Sequence, residues 1–191
     1  MQKPLVIGLI GKSRAGKDTT ADYLCSAHGF TKIAVADPLK EAMRAIFAYS
    51  REQTDGALKE EIDANWGTSP REMMQFVGTS LFRDTLGAHY PAIGADIWAR
   101  ALASRIASAS ARVVVSDIRF PNEAKVIARA NGVLVRIVRA RVCASQTDVH
   151  ISEYAADSIV ADFELNNNNS RETLFARIND MMPRILARLN R

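Results

Sequence analysis

The feature that most constrains the fold is a short apolar run that leads directly into a glycine-rich turn. Residues 5–10 (LVIGLI) lie between Pro4 and Gly11. This pattern is typical of a β-strand that is buried on both faces. The turn Gly11–Thr19 reads GKSRAGKDT, and apolar residues then recur at helical spacing from Lys17 to Ala27. The sequence therefore predicts a strand, a glycine turn and a helix in direct succession.

The turn fits the pattern G-x-x-x-x-G-K between a strand and a helix, which indicates a phosphate-binding loop (P-loop). The glycines let successive backbone N–H groups point at one phosphate, and the helix N-terminus adds partial positive charge. We expect Lys17 to reach the outer phosphates of ATP and to neutralise the charge that builds during transfer. The residues predicted to bind the phosphates of ATP are Gly11, Ser13, Arg14, Ala15, Gly16, Lys17, Asp18 and Thr19.

One position departs from the usual loop. The residue after the lysine is commonly Ser or Thr, whose hydroxyl binds Mg²⁺. Here it is Asp18, followed by Thr19. We expect Thr19 to contact a phosphate or the metal shell, and the sequence leaves open whether Asp18 contacts Mg²⁺ directly.

Strands and helices alternate along the rest of the chain, which indicates parallel βαβ units and a three-layer α/β P-loop fold with a parallel sheet flanked by helices. Asp37-Pro38 is typical of a helix start, with Asp as N-cap and Pro at the first helical position. Residues 50–69 look polar and irregular, and 166–170 look like a loop. Further strands are predicted at 32–36, 112–117, 133–138 and 159–165, and further helices from Ser69 and at 96–108, 121–130 and 171–189.

The chain length and composition suit one globular domain. The 191 residues carry 48% hydrophobic and 24% charged side chains, so a sizeable core can form without disulfides. We predict a single domain over residues 1–191, with an acceptor-side helical region at about 37–108 and a small lid at about 139–157. The two cysteines are far apart and look like buried hydrophobes in a reducing compartment.

The charge of the chain favours an anionic small-molecule ligand. Net charge is +4, but the basic residues are scattered without a Lys/Arg run. We therefore expect no stable nucleic-acid binding. The apolar start is too short to span a bilayer and does not resemble a signal peptide, so the expected location is the cytoplasm, away from membranes. A homodimer is compatible with the sequence, which does not fix the number of subunits.

A second group of candidate functional residues lies at the end of the valine-rich strand 112–117 and just after it. Asp117 ends that strand, the position expected for a carboxylate that holds Mg²⁺ beside the P-loop strand, although a turn-forming or capping Asp is the alternative. Arg119 suits a phosphate clamp, or it pairs with Glu123 on the surface. We predict Lys17, Arg119 and Asp117 as catalytic residues, and Thr19 and Asp117 as metal ligands.

The run 116–124 (SDIRFPNEA), together with GKDT in the P-loop, resembles the phage-type deoxynucleoside monophosphate kinases. Three further segments are similar to that family: 36–40 (ADPLK), 69–75 (SPREMMQ) with Gly78, Thr79 and Arg83 beyond it, and 150–153 (HISE). The resemblance thus covers most of the chain. The P-loop alone is common to many enzymes, whereas D-x-R-F-P-N-E-A is much more specific.

The resemblance implies transfer of the γ-phosphoryl group of ATP to a deoxynucleoside monophosphate, giving the diphosphate, with Mg²⁺ as cofactor. The acceptor is an ionised phosphate oxygen, so no general base is required. Arg71 and Arg83 would hold the acceptor phosphate, and because they are twelve positions apart, a bend or a helix-to-loop change is needed for both to face one pocket. Solvated helix arginines are the alternative. The residues implied as acceptor-binding are Asp37, Lys40, Arg71, Gln75, Thr79 and Arg83.

The lid or adenine side is assigned to three residues. Arg139 would stack on adenine or reach a phosphate, or else it is a solvated surface arginine. His150 fits a structural role better than a catalytic one, and Glu153 fits the start of a short helix. Trp98 fits a core position on an alanine-rich helix rather than a base-stacking role.

Two rival functions remain. One is a kinase of an alcohol acceptor similar to dephospho-coenzyme A kinase, in which Asp37 would accept the hydroxyl proton. The other is a P-loop module that uses ATP as a switch or binds nucleic acid, for which the basic charge is the only support.

Overall fold

The computed structural model describes residues 4–109, 111–140 and 155–189. These residues form two compact units. The sheet unit consists of the described residues of Met1–Val35 and Leu102–Arg191, and the helical unit is Ala36–Ala101. The single-domain interpretation stays a prediction.

Five parallel strands form the sheet. They are β1 (Val6–Ile10), β2 (Thr31–Ile33), β3 (Val113–Ile118), β4 (Val133–Val138) and β5 (Phe163–Asn166). Their order across the sheet is β2-β3-β1-β4-β5, with all pairs parallel. The central strand β1 is buried along its whole length, because it has neighbours on both sides and helices on the faces. The predicted α/β class with a parallel sheet is confirmed.

The parallel order places functional positions along one edge of the sheet. Because all strands run in the same direction, their carboxyl ends share an edge, where α/β proteins bind their ligands. Gly11 follows β1 at that edge, Asp117 lies near the end of the adjacent β3, and Arg139 follows β4. The expectation that the Asp117 strand lies beside the P-loop strand is thus confirmed.

Eight α-helices of four or more residues lie within the described residues, and residues 155–157 are also helical. The eight are α1 (Lys17–His28), α2 (Asp37–Phe47), α3 (Arg51–Asp55), α4 (Pro70–Gln75), α5 (Leu86–His89), α6 (Ile97–Ala107), α7 (Pro121–Arg129) and α8 (Arg171–Leu189). Short 3₁₀ helices occupy Ala57–Glu60 and Gly94–Asp96, and a π-helix occupies Phe76–Thr85. None of the helices in the described ranges has the length and apolar character needed to cross a membrane.

The core of the sheet unit joins the sheet to α1 and α8. Leu24 of α1 and Ile178 of α8 belong to one buried cluster with Ile7 of β1 and Val135 of β4. Each of these four side chains is at most 4% exposed. The apolar stripes of the two helices are therefore what fixes them against the strands that carry the P-loop.

The helical unit has its own core. Leu39 and Met43 of α2 pack with Tyr49 and Val77, and partly buried aromatic residues surround them. Trp98 is one of these, as expected from its helical face, and its ring meets that of Phe82 edge to face.

The π-helix is the main element that the sequence did not reveal. It continues α4 without a break, and its i→i+5 pattern is visible where the Leu86 N–H donates to the Leu81 carbonyl. The Thr85 hydroxyl donates to the Ser80 carbonyl in the same segment. The Trp98 indole N–H donates to the Gly78 carbonyl at 2.8 Å. Long π-helices are rare because their hydrogen bonds are less favourable, so this side-chain donor helps to stabilise the segment.

Two predictions in the helical unit were wrong. Helix α2 already begins at Asp37, and its N-cap is Ala36, whose αR backbone makes the chain helical before the aspartate is reached. Asp37 therefore lies in the first turn, where its charge complements the helix dipole. Residues 50–69, expected to be irregular, contain α3, which starts with a capping box between Ser50 and Gln53.

The helix start predicted at Ser69 is confirmed. The Ser69 hydroxyl accepts a hydrogen bond from the Glu72 N–H, and the Glu72 carboxylate accepts one from the Ser69 N–H at 3.0 Å. These reciprocal bonds satisfy two N–H groups that an uncapped helix would leave without partners.

Candidate active site

The P-loop curls between β1 and α1 with glycine at its two tightest positions. Gly16 has φ +105°, a left-handed conformation that residues with a Cβ rarely adopt. A Cβ at Gly11 would lie 2.7 Å from the carbonyl oxygen of Ile137, so the loop passes too close to β4 for a side chain. Arg14 also has positive φ, at 59°. The glycine requirement read from the motif therefore has a steric cause at both ends of the loop.

Lys17 folds back over the loop that precedes it. Its ammonium group donates to the carbonyl of Gly11 at 2.8 Å and to that of Lys12 at 2.9 Å. An ammonium group has three donors. These contacts hold the positive charge at the loop itself, where a phosphate-binding lysine has to be.

Asp18, the unusual residue of the motif, is held by a lysine from the next strand. Lys32 of β2 places its ammonium group 2.9 Å from Asp18 Oδ1 and 3.0 Å from Asp22 Oδ1. Burial lowers the pKa of Lys32, but the hydrogen bonds and negative charges of the two aspartates outweigh burial and raise it. Lys32 is therefore charged at neutral pH and offsets the acidic residue beside the phosphate site.

Two neighbouring threonines follow Asp18 and differ in their environment. The Thr20 hydroxyl is buried and donates to the Gly16 carbonyl at 2.9 Å, so it supports the loop. Thr19 is half-buried, and its hydroxyl makes no hydrogen bond within the described part of the chain. Of the two hydroxyls, that of Thr19 fits the role of a phosphate or metal ligand.

Asp117 lies near the carboxyl end of β3, the strand next to the P-loop strand. Its Oδ1 accepts a hydrogen bond from the Val35 N–H at 2.6 Å, which links it to the chain just after β2. This backbone donor fixes the direction of the carboxylate. The residue thus combines a charged oxygen ligand with the sheet position that Mg²⁺ sites of P-loop enzymes use.

Arg119 follows β3 in a turn organised by a buried carboxylate. Glu123 is only 2% exposed, and its Oε2 accepts hydrogen bonds from the N–H groups of Arg119 at 2.9 Å and Phe120 at 3.1 Å. The Arg119 side chain itself is exposed. Glu123 is therefore no surface carboxylate, and its role is to shape the backbone that presents Arg119.

In the helical unit, two of the predicted acceptor-binding residues form ion pairs. Lys40 lies 2.6 Å from Asp55, and Arg71 pairs with Glu60. Burial together with the positive charges of Lys40 and Arg71 lowers the pKa of Lys59. The carboxylates of Asp55 and Glu60 oppose this shift, so the three cationic side chains lie near one another with two carboxylates among them.

The remaining predicted acceptor residues lie along α2, α4 and the π-helix. Asp37 and Thr79 are half-buried, and Gln75 is exposed. Arg83 lies in the π-helix, where it donates to the Ala95 carbonyl at 3.4 Å. The π-helix begins between Arg71 and Arg83, so their relative direction differs from that in a regular α-helix, without the bend or loop that the sequence suggested.

A separate apolar groove of about 520 Å³ lies in the helical unit along the π-helix and α5. Its lining residues include none of the predicted phosphate-binding or acceptor-binding residues, and they are Leu81, Phe82, Thr85, Leu86, His89 and Tyr90. A groove lined by neither Lys nor Arg lacks the side chains that usually bind a phosphate.

On the lid side, only one predicted residue can be placed. Arg139 is exposed and directly follows β4 at the P-loop edge of the sheet. The predictions for His150 and Glu153 fall outside the described residues.

The comparisons with known proteins decide the family. A sequence profile of the deoxynucleotide monophosphate kinase family matches residues 5–65 and 53–178. A proposed deoxynucleotide monophosphate kinase of Acanthamoeba polyphaga mimivirus is 38% identical over 185 residues, which cover 91% of this chain and 94% of the viral protein. This chain belongs to the deoxynucleotide monophosphate kinase family. The resemblance inferred from the D-x-R-F-P-N-E-A run and the P-loop is confirmed.

Solved structures share the fold of this family member at low sequence identity. A Thermus thermophilus protein has a TM-score of 0.53 and 18% identity, covering 96% of this chain and 99% of its own. A gluconokinase from Sinorhizobium meliloti 1021 has a TM-score of 0.51 and 14% identity, covering 100% of this chain and 98% of its own. These similarities support the P-loop kinase fold and nothing finer.

The sequence analysis of this kinase missed two residues with contacts at the site, Lys32 and Asn167, and gave a third, Glu123, a different role. Lys32 pairs with Asp18, Glu123 shapes the Arg119 turn, and Asn167 contacts the P-loop from the carboxyl end of the sheet. The Glu123 contact could have been found, because Pro121-Asn122-Glu123 opens a helix and an acidic third residue commonly binds the preceding N–H groups. The other two contacts join distant parts of the chain and leave no local pattern.

Proposed function

We propose that this protein transfers the γ-phosphoryl group of ATP to a deoxynucleoside monophosphate, giving ADP and the deoxynucleoside diphosphate. The observation that carries the proposal is a P-loop with Lys17 folded over it, next to the strand that bears Asp117, in a chain of the deoxynucleotide monophosphate kinase family. Phosphoryl transfer needs positioned positive charge far more than it needs covalent chemistry, and this loop supplies it.

On the donor side, the loop N–H groups and Lys17 bind the phosphates of ATP, and Arg119 stabilises the charge that develops on the transferring group. Arg139 contributes from the end of β4, either on the adenine ring or on a phosphate. His150 and Glu153 remain assigned to the same side.

Asp117 and Thr19 fit a magnesium site. The described residues contain no group of three or more His, Cys, Asp or Glu side chains that would hold a metal ion alone. Mg²⁺ in kinases is bound by one or two protein oxygens together with the substrate phosphates, so one carboxylate and one hydroxyl are enough. When bound, the metal would neutralise charge on the phosphates of ATP. We leave Asp18 out of this proposed ligand set, since Lys32 pairs with one of its carboxylate oxygens.

On the acceptor side, the nucleophile is the phosphate oxygen of the monophosphate, which is already ionised. The role of the protein is then to hold that phosphate in line and to neutralise it. Arg71 and Arg83 take this role, with Lys40 adding charge, while Asp37, Gln75 and Thr79 contact the sugar or the base.

The wider setting follows from the same chemistry. Substrates of this kind are free nucleotides, so the protein would act in the cytoplasm without stable binding to nucleic acid. A homodimer remains compatible with the sequence.

The test is ADP formation with Mg²⁺ and ATP against a panel of deoxynucleoside and ribonucleoside monophosphates and dephospho-coenzyme A. Rapid turnover with at least one deoxynucleotide, and none with dephospho-coenzyme A, is the expected result. Turnover with dephospho-coenzyme A alone, or with no acceptor in the panel, would contradict the proposed reaction.

A further inference from the structure

A buried asparagine that follows the edge strand β5 contacts the P-loop. Asn167 follows β5, is 8% exposed, and its side-chain amide donates to the Ala15 carbonyl at 2.8 Å. Its backbone N–H donates to the Val138 carbonyl at 2.7 Å, which anchors the asparagine to the end of β4. A Cβ on Gly16 would overlap the same side-chain amide. The amide of Asn167 thus packs directly against the Ala15–Gly16 peptide.

The neighbouring asparagines fix the segment in which Asn167 lies. Arg177 of α8 donates to the Asn166 carbonyl at 2.6 Å and to the Asn169 side chain at 3.3 Å. The Asn168 side chain accepts from the Ala140 N–H at 2.6 Å. The four-asparagine run is therefore held by α8 on one side and by the end of β4 on the other. These contacts fix the position from which Asn167 contacts the P-loop.

The contact has a geometric consequence for the phosphate site. The Ala15 carbonyl and the Gly16 N–H belong to one planar trans peptide, in which the two groups point in opposite directions. A hydrogen bond that fixes the carbonyl also fixes the direction of that N–H group. Gly16 needs this restraint most, because glycine changes its backbone angles at little cost.

Without Asn167, one of two changes follows. Either the Ala15 carbonyl stays in place with its hydrogen bond lost, or the Ala15–Gly16 peptide rotates to find another donor. An unsatisfied buried carbonyl is costly. Rotation turns the Gly16 N–H away from its native direction, and a P-loop binds phosphate through such N–H groups.

We propose that Asn167 is a positioning residue of the P-loop, which fixes the Ala15–Gly16 peptide so that the Gly16 N–H is directed at a phosphate of ATP. The inference rests on the proposed function for its ligand. It assigns Asn167 no contact with either substrate.

The experiment compares Asn167→Ala and Asn167→Asp with the wild-type protein and with Glu164→Gln, an exposed control on β5. Calorimetry gives the Kd for MgATP, and steady-state kinetics give kcat and both KM values. For Asn167→Ala we expect the Kd for MgATP to rise about tenfold, as loss of one ordinary hydrogen bond would cause, with a lower kcat. The KM for the deoxynucleotide and all values for Glu164→Gln should stay near wild type.

Asn167→Asp keeps the shape of the side chain and adds a pH readout. The ionised carboxylate repels both the Ala15 carbonyl and the phosphates, so ATP affinity should fall below that of Asn167→Ala at pH 8. Protonation restores a donor, so the affinity of this variant relative to wild type should recover as the pH falls towards 5. A residue that only stabilised the fold would show no such recovery.

The outcomes separate the two proposals. If wild-type protein does not bind MgATP, the proposed function fails and the inference with it. If wild-type protein binds MgATP and both Asn167 variants bind it equally well, even with lowered thermal stability, the inference alone is overturned.

Discussion

The ammonium group of Lys32 lies 2.9 Å from the carboxylate of Asp18, the residue that replaces the usual Ser or Thr after the P-loop lysine. A negative charge at this position stabilises α1 through the helix dipole, yet it repels the phosphates that the same helix N-terminus attracts. Lys32, on β2, pairs with Asp18 and thereby offsets its negative charge. Asp18 and Lys32 therefore act together as a charge-compensated pair beside the P-loop.

Replacement of this lysine should weaken ATP binding. In Lys32→Met, Asp18 and Asp22 lie one helical turn apart without a shared cation, so they repel each other and the phosphates. We expect the KM for ATP to rise about threefold to tenfold, and the loss of stability to stay below about 1 kcal/mol, because Asp18 is 78% exposed. Steady-state kinetics and thermal denaturation give the two values.

The double variant Lys32→Met with Asp18→Ser provides the rescue. Removal of the unpaired carboxylate should return the KM for ATP towards the wild-type value, whereas Lys125→Met, an exposed lysine on α7, should leave it unchanged. If the double variant binds ATP no better than Lys32→Met, charge neutralisation is not the role of Lys32.

The same pair has an alkaline pH signature. The pKa of Lys32 is raised in the folded protein, so its stabilising contribution is complete below the unfolded value near 10.4 and is lost as the pH rises through the folded value. Wild-type protein should therefore lose stability more steeply above about pH 10.4 than Lys32→Met does. The free energy of unfolding is measured by urea denaturation at several pH values. If it falls equally steeply with pH for both proteins, this interpretation is wrong.

The P-loop lysine should be essential for transfer but not for folding. Lys17→Ala removes the positive charge over the loop and its bonds to the Gly11 and Lys12 carbonyls. We expect kcat to fall by roughly three orders of magnitude or more, as loss of transition-state charge stabilisation does, with little change in the circular dichroism spectrum. Lys12→Ala, an exposed lysine of the same loop, is the matched control. Near-normal turnover of Lys17→Ala would remove the basis of the P-loop assignment.

The sequence predicted most of the sheet unit because its elements have strong local signals. Val113–Val115 are an apolar run buried on both faces, and α8 begins and ends at the residues read from the asparagine break and the apolar stripe. In the helical unit, the capping box at Ser69 likewise determines the start of α4. These features depend on residues within a few positions of each other, which is why a single sequence was enough.

The missed features depend on contacts between distant residues. The π-helix is supported by Trp98, twenty positions after the Gly78 carbonyl that it contacts, and the apolar spacing of the segment resembles that of an ordinary helix. The Asn167 amide meets Ala15 across 152 positions. Neither contact leaves a periodic trace in the sequence, and a run of four asparagines is ordinarily typical of a loop.

The ion pair between Arg71 and Glu60 gives opposite predictions for its two members. Arg71→Ala removes a cation assigned to the acceptor phosphate, so the KM for the deoxynucleotide should rise about tenfold or more. Glu60→Gln removes the competing carboxylate, so the same KM should stay constant or fall. If both variants change the KM in the same direction, the pair is only structural, and the acceptor phosphate binds elsewhere.

Acid stability of the helical unit should depend on Asp55. Burial raises the pKa of this carboxyl, but hydrogen bonds from Lys40 and Thr54 and the charges of Lys40 and Arg44 outweigh burial and lower it. Its contribution is therefore present above the unfolded pKa of about 3.9 and is lost as the pH falls through the lower folded value. In Asp55→Asn, the free energy of unfolding should depend less on pH between about pH 5 and pH 2 than in the wild-type protein. Asp84→Asn, which changes an exposed aspartate of the same unit, should leave this dependence unchanged.

The role of Asp37 distinguishes the two kinase chemistries. A kinase of an alcohol acceptor needs a base for the hydroxyl proton, and loss of that base would reduce kcat by about two to four orders of magnitude. A monophosphate needs none, because its attacking oxygen is already ionised. Asp37 lies in the first turn of α2, half-buried, where a carboxylate also complements the helix dipole. We therefore expect Asp37→Asn to retain kcat within about tenfold and to change mainly the KM for the deoxynucleotide, with Glu41→Gln on the same helix as the control. A collapse of kcat with unchanged KM values would instead favour the alcohol kinase.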